Sequence, residues 1–434
     1  MEFPLATANA RRLLLLGAAL ISVFLTVQAA RIWFASDLLD SGNLPSIERG
    51  AHILPGDAEA WDRLGRFRQW DFADSDPGAA VTDYQTAVRE QPLSPYYWMD
   101  LASAYEQTGE MSRANEAYRR AEAVYPISAE VAWHYGNFLL RQGQNAEAMK
   151  EIQRAVRTDP SLLPLAISRI WVSTHDVNVL SSQVLPPNPG AYFRALDFFE
   201  NIHDPDAGLI VWNRLLSLGQ PFPLSRSFPF LDQLIGADRA EDARKVWIQA
   251  FQAAGLAQES PGPSLIDNGG FTQNFPNGGL GWRWNAPLGV SIDFDSPRIP
   301  NGTRSVRLDF GGGGNTDLDA PYQYVPVEPN RTYHFHGYLK TDRISTESGP
   351  RFSVVDPHHP GVSNIATQNL TGTNPWTPAD ADISTSPQTH FLLVRLYRAP
   401  SRLFENKLSG TVWMAEVSLV PSEKSEKKEE SPQL

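Results

Sequence analysis

A 34-residue period runs through residues 80–160 and leaves few folds open. Ala80, Ala114 and Ala148 are spaced by 34, as are Tyr84, Tyr118 and Ile152. So are Ala87, Ala121 and Ala155, and Pro92, Pro126 and Pro160. Each unit therefore repeats a small residue, a bulky residue four on, an alanine three further and a proline five further. Small residues seven apart with a bulky one between them describe paired antiparallel helices: the alanines allow close approach and the bulky side chain fills the groove. Upstream of the second helix, the middle unit carries Trp98, Leu101, Ala102, Tyr105 and Gly109. The last carries Ala132, Tyr135, Gly136, Leu139 and Gly143. In the first unit Trp61, Leu64 and Gly65 stand three positions early, and Asp74–Gly78 makes room with a longer turn. The units span about 58–92, 93–126 and 127–160, and residues 37–57 form a degenerate leading half-repeat.

This pattern resembles the tetratricopeptide repeat family, and the resemblance implies an α-helical solenoid with a concave binding groove lined by the first helix of each pair. Register would place Tyr96, Met99, Ser103 and Glu106 there from one unit, and Glu130, Trp133, Asn137 and Arg141 from the next. Trp133 stands where members that clamp a C-terminal carboxylate carry a lysine, so that variety of partner is not expected. Met99 and Trp133 either anchor an apolar peptide side chain or pack against the neighbouring repeat. Beyond Pro160 the period fades. Ser161–Val184 keeps helical patterning up to the break at Leu185–Pro189. Gly208, Trp212 and Leu215, then Ala243, Trp247 and Ala250, restate the spacing, so 189–255 is expected to hold two degenerate hairpins. The solenoid then covers 37–257.

Leu13–Ala30 is 18 residues without a charge, preceded by Arg11 and Arg12. Ten of them are Leu, Ile, Val or Phe, each worth roughly −0.3 to −0.6 kcal/mol on an insertion scale, which outweighs Ser22, Thr26 and Gln28. One reading is a transmembrane anchor over residues 13–34 within a segment 1–36, with Trp33 at the far interface. The other is a signal peptide, for which Val27-Gln28-Ala29 has a suitable cleavage pattern. Either way Arg11 and Arg12 hold the N-terminus inside. The expected location is a single-pass bacterial inner-membrane protein with a periplasmic bulk, or a secreted protein after cleavage.

Glu259–Pro263 reads as a stiff linker (258–263). Past it, short alternating runs separated by Gly, Pro, Asn and Asp describe an all-β sandwich over 264–421, with strands at Ser305–Phe310, Tyr333–Lys340, Arg351–Val355, Phe391–Tyr397 and Thr411–Val420. The charged stretch 422–434 reads as a disordered tail. Four segments resemble the jelly-roll carbohydrate-binding modules of the galactose-binding-like kind: Leu265–Phe271 with Gly281-Trp282, Gly302–Leu308, Tyr324–Tyr333 and Gly410–Leu419. Such modules often hold a structural calcium through acids that are here Thr272 and Ala415, leaving Glu416 alone, so no ion is expected. Alternation puts His334, His336, Tyr338 and Lys340 on the face opposite Tyr333, Phe335 and Leu339. If that face reads sugar, Trp284, Tyr322, Trp376 and Arg395 are its neighbours; otherwise the rings are core or edge cover.

The net charge of −12 excludes a general nucleic-acid binder. With no cysteine, disulfides, thiolate metal sites and a thiol nucleophile are excluded. His334-x-His336 and His358-His359 lack the carboxylate spacing of a metal centre, and Gly311–Gly314 lacks the Lys-Ser/Thr of a phosphate loop. No cofactor or catalytic residue is expected. The chain reads as a non-enzymatic, membrane-anchored scaffold that binds a protein through its groove and a glycan through its sandwich, by analogy in polysaccharide assembly or export. The alternatives are a purely structural assembly factor and, less favoured, a glycan-active enzyme.

Overall fold

The computed structural model describes residues 8–71, 75–256, 262–295 and 304–422. The core of the linker, Asp74 of the longer turn, Gly302 and Thr303 of the second resembling segment, and the charged tail from 423 lie outside the described residues. The chain divides into two compact units that meet at Pro186 and Pro187.

The first unit is helical. Helix α1 (Ala8–Leu39) is unbroken through the apolar stretch, with Leu13–Val27 exposing their large side chains by 52–72%. Only its C-terminal end is packed. Gly50 of α2 (Leu44–Ile53) lies so close to Ala35 and Leu39 that a Cβ there would meet Leu39 at 2.9 Å. The leading half-repeat is thus completed by the tail of the apolar helix. The three repeats follow as α3/α4 (Ala58–Trp70, Pro77–Glu90), α5/α6 (Pro95–Gln107, Met111–Val124) and α7/α8 (Ala129–Arg141, Asn145–Thr158). Proline or a capping Asp or Ser opens most of these helices. Ala80, Ala87, Ala102, Ala114, Ala121, Ala132, Ala148 and Ala155 are fully buried. Gly65 and Gly136 receive Tyr84 and Ile152 so closely that a Cβ at either would meet the bulky side chain at 2.8 Å.

The three-residue offset of the first repeat is visible in hydrogen bonds. The Trp61 indole donates to the Pro55 carbonyl (3.0 Å), and Trp98, 37 residues later, donates to Pro92 (2.9 Å). After Pro160 the helical patterning splits. Helix α9 (Leu163–Thr174) stops at His175, which is left-handed at φ 49°, and α10 (Val177–Val179) runs on as a π-turn to Val184.

The second unit opens with two hairpins, α11/α12 (Pro189–Asn201, Pro205–Ser217) and α13/α14 (Phe228–Gly236, Ala240–Ala253). Their turns copy those of the regular repeats. Gly109 and Gly143 take φ 80° and 72°, and His203 and Asp238 stand in the same place at φ 57°. In each turn the next amide donates back to a helix carbonyl, from Glu110 to Tyr105, Gln144 to Leu139, Asp204 to Phe199 and Arg239 to Leu234.

The same unit holds two antiparallel sheets. One orders β1-β2-β9-β4-β7 and the other β3-β8-β5-β6. The five strands expected from the sequence are β2 (Ser305–Gly311), β4 (Thr332–Ile344), β5 (Arg351–Val355), β8 (Phe391–Tyr397) and β9 (Ser409–Pro421). Added to them are β1 (Val290–Asp295), β3 (Tyr322–Pro326), β6 (Asn364–Ala366) and β7 (Gly372–Ser384). Inward side chains of both sheets build one core, with Phe335 of β4 edge-on to Phe352 of β5 at 5.1 Å. Leu265–Phe271, the first of the four resembling segments, is a bent strap whose Leu265 amide donates to Leu419 O. Asn268 and Phe271 are left-handed there, and such a backbone cannot continue a ladder.

Candidate functional site

The first helices of the repeats enclose a cleft of about 610 Å³ in the helical unit. Tyr96, Met99, Ser103 and Glu106 line it from α5, and Glu130 and Arg141 from α7. Trp133 and Asn137 are not in the lining. Asn137 is buried and its amide is tied to Trp133 O. The residue that α7 contributes instead is His134. Glu130, His134 and Arg141 are spaced i, i+4 and i+11, a narrow face on a 3.6-residue helix, and Trp133 falls to its side. Arg66 and Trp70 of α3 complete the wall. Trp70 is the counterpart of Gln107 across the 37-residue offset, a signal present in the sequence once the inserted turn is counted.

The floor is charged and organised. Glu106 accepts a hydrogen bond from the Tyr118 hydroxyl (3.0 Å) and a forked ion pair from Arg141 (2.8 Å). Burial and the Glu106 charge push the Tyr118 phenol up. Arg66 pairs with both Asp62 (2.7 Å) and Asp100 (3.1 Å). Asp62 is 2% exposed and its Oδ1 has no hydrogen-bond partner. Burial, then the neighbouring Asp100 charge, raise its pKa to about 8, so one guanidinium serves two carboxyls of which one keeps its proton at neutral pH. Gln69 hands a hydrogen bond from the buried Tyr84 hydroxyl on to Ser103. At the mouth, Trp70 and Tyr96 remain 64% and 47% exposed.

In the sandwich the expected sugar-reading residues do not form one face. His334, His336 and Tyr338 point outward from β4, as alternation required, and Trp376 lies on the adjoining β7. His334 Nδ1 sits 2.8 Å from Asp382 and His336 Nδ1 2.6 Å from Asp380, while the Tyr338 ring stands edge-on to His336. The hydrogen bond that the His334 ring donates to Asp382 raises the His334 pKa. Tyr322 and Arg395 are Cα partners on β3 and β8, in the other sheet. The two subsets therefore occupy opposite outer faces, because strand order, which single-sequence patterning does not carry, assigns them to different sheets. Trp284 packs against the core and serves neither face. Among the described residues, no group of three His, Cys, Asp or Glu is placed to hold a metal ion.

Residues 72–121 and 110–162 match the family description "Tetratricopeptide repeat". Residues 72–162 are tetratricopeptide repeats. Repeats of this kind are protein-interaction scaffolds. The small glutamine-rich tetratricopeptide repeat-containing protein 2 of Mycosarcoma maydis is 31% identical over 86 residues, covering 20% of this chain and 24% of that one. Transcriptional regulator HilA of Salmonella typhimurium is 28% identical over 81 residues, 17% and 15% of the two chains. This chain thus spans about a quarter or less of the curated relatives it matches. Among solved structures, MamA matches over 40% of this chain and 85% of its own at 16% identity, with a TM-score of 0.26. YrrB, described as a TPR protein with an unusual peptide-binding site, matches over 49% and 94% at 12% identity and also scores 0.26.

Proposed function

We propose that this protein is a non-catalytic scaffold that receives a segment of a partner protein in the cleft between α3, α5 and α7. The observation that carries this reading is the cleft itself. Two large rings, Trp70 and Tyr96, are exposed at its mouth above a floor of paired charges. Exposed rings beside oriented charges supply anchoring area with directional recognition, the combination that dominates peptide affinity. Peptides selected against the purified full chain in detergent would compete for one site. Tyr96→Ala and His134→Ala, both exposed, are expected to weaken them at least about fivefold. Selected peptides indifferent to both substitutions would reject the cleft as the binding site.

Helix α1 favours a membrane tether. The stretch Arg11–Leu39 has a mean hydropathy of 2.2 over its most apolar 18-residue window, none of it buried within the protein. A signal sequence has the same physical character, and the two differ in whether the helix remains on the mature chain. In the tethered reading the polar bulk stands on the extracytoplasmic side. A second reading concerns the sandwich, whose jelly-roll resemblance suggests saccharide binding. The outer face of the β3–β8–β5 sheet favours it, because Tyr322, Arg395 and Tyr397 are brought together there.

A further inference from the structure

We infer that the outer face of the four-stranded sheet binds an acidic saccharide, its carboxylates held by Arg351 and Arg395. This rests on the saccharide reading of the sandwich and specifies its ligand class. Strand register places Arg351 opposite Tyr397 and Ser353 opposite Arg395 on β5 and β8, and Tyr322 of β3 opposite Arg395 from the other side. Phe352, Val354, Val394 and Leu396 alternate with them and are fully buried, so the arginines and tyrosines share the outward face. Arg351 and Arg395 are diagonal neighbours there, a spacing of roughly 7–8 Å between backbone positions.

No described residue neutralises either arginine. Both Nε atoms are buried without a hydrogen-bond partner, and neither guanidinium makes an ion pair or hydrogen bond among the described residues. Arg395 lies over the Tyr397 ring at 4.9 Å, which orients it and leaves its charge unpaired. The contrast is Arg398 on the same strand's end. It is fully buried, and its guanidinium donates to Ser348 O, Asn315 Oδ1, Thr316 O and Thr346 Oγ1. A chain with a net charge of −12 has ample carboxylates to pair surface arginines. Two partly buried, uncompensated guanidiniums side by side are costly unless an anion completes them. The forked geometry of arginine fits a carboxylate, and the flanking tyrosines offer ring faces and hydroxyls for sugar rings. A chain of uronic acid residues presents both at a repeating spacing.

The test is calorimetric titration of the full chain in detergent with three probes: hexagalacturonate, a neutral hexaglucose and hexaglutamate. The inference expects saturable binding of hexagalacturonate alone. Arg351→Gln and Arg395→Gln are each expected to weaken it at least about tenfold, Arg395→Lys to fall between Gln and wild type, and Arg402→Gln, an exposed cation elsewhere, to change it less than about twofold. Circular dichroism checks that each variant remains folded. Equal binding of hexaglucose would keep the saccharide reading and overturn the requirement for an acid. Equal binding of hexaglutamate would overturn the saccharide class, and an equal loss in Arg402→Gln would overturn the site. No binding of either saccharide would overturn both the inference and the reading beneath it.

Discussion

Asp62 shows how the cleft stores a charge imbalance. Its carboxyl is buried beside Asp100, and Arg66 pairs with both. The pKa of about 8 lies above the ordinary 3.8, so between about pH 4 and pH 8 the folded chain holds a proton that the unfolded chain has released. Stability from this site is complete below that window and is lost as pH rises through it. Asp62→Asn removes the titration. Urea denaturation at pH 5 and pH 8.5 is expected to show the Asn variant gaining at least about 1 kcal/mol on wild type across that interval. A constant difference between the two chains would mean that Asp62 is ionised throughout. At the same scale lies the main blind spot of single-residue reading. The repeat period pointed to Tyr96, Met99, Ser103, Glu106, Glu130 and Arg141, which line the cleft. It placed Trp133 and Asn137 there and passed over Trp70 and His134: Trp133 falls to the side of the face shared by Glu130, His134 and Arg141, Asn137 is buried with its amide on Trp133 O, and the three extra residues of the first unit displace its register.

At the scale of elements, pattern and proline explain what was legible. Helices with small residues seven apart and strands with strict alternation were readable. Strand β7 was not among the strands expected: Pro375, Pro378, Asp380 and Asp382 weaken its strand signal, and they are tolerated because β7 lies at the sheet edge and, among the described residues, pairs with β4 alone. Strand order, which separated the two groups of sandwich rings, leaves no trace in any one strand. The α13–α14 turn carries a further element-level feature. Asp238, in the left-handed position that glycine fills in the regular repeats, reaches His390 Nδ1 at 2.7 Å, next to β8. Nearby, Arg244 of α14 donates to Pro326 O at the end of β3 (2.7 Å), so hairpin and sheet are tied at two points. A double-mutant cycle on Asp238→Asn and His390→Gln, read by thermal or urea unfolding, is expected to return a coupling of about 0.5–1 kcal/mol. Additive effects would show that the hydrogen bond does not hold the hairpin to the sheet.

For the whole molecule, the scaffold proposed above would hold its partner at a membrane if α1 is the tether. If α1 is retained as the tether, the mature chain begins upstream of Leu13 and resists carbonate extraction from membranes. N-terminal sequencing that begins shortly after Ala29, with the protein in the soluble fraction, would assign the helix to a cleaved signal. The central claim, that the repeat cleft receives a partner protein, is tested most directly by photo-crosslinking in cells. The crosslinker would replace Tyr96 or His134 in the cleft, or Arg120 on the second helix of its repeat. The account predicts the same discrete adduct from Tyr96 and His134 and none from Arg120. The Tyr96 adduct would disappear when His134→Ala is added, and the His134 adduct when Tyr96→Ala is added. An adduct confined to Arg120, or cleft adducts indifferent to those substitutions, would contradict it.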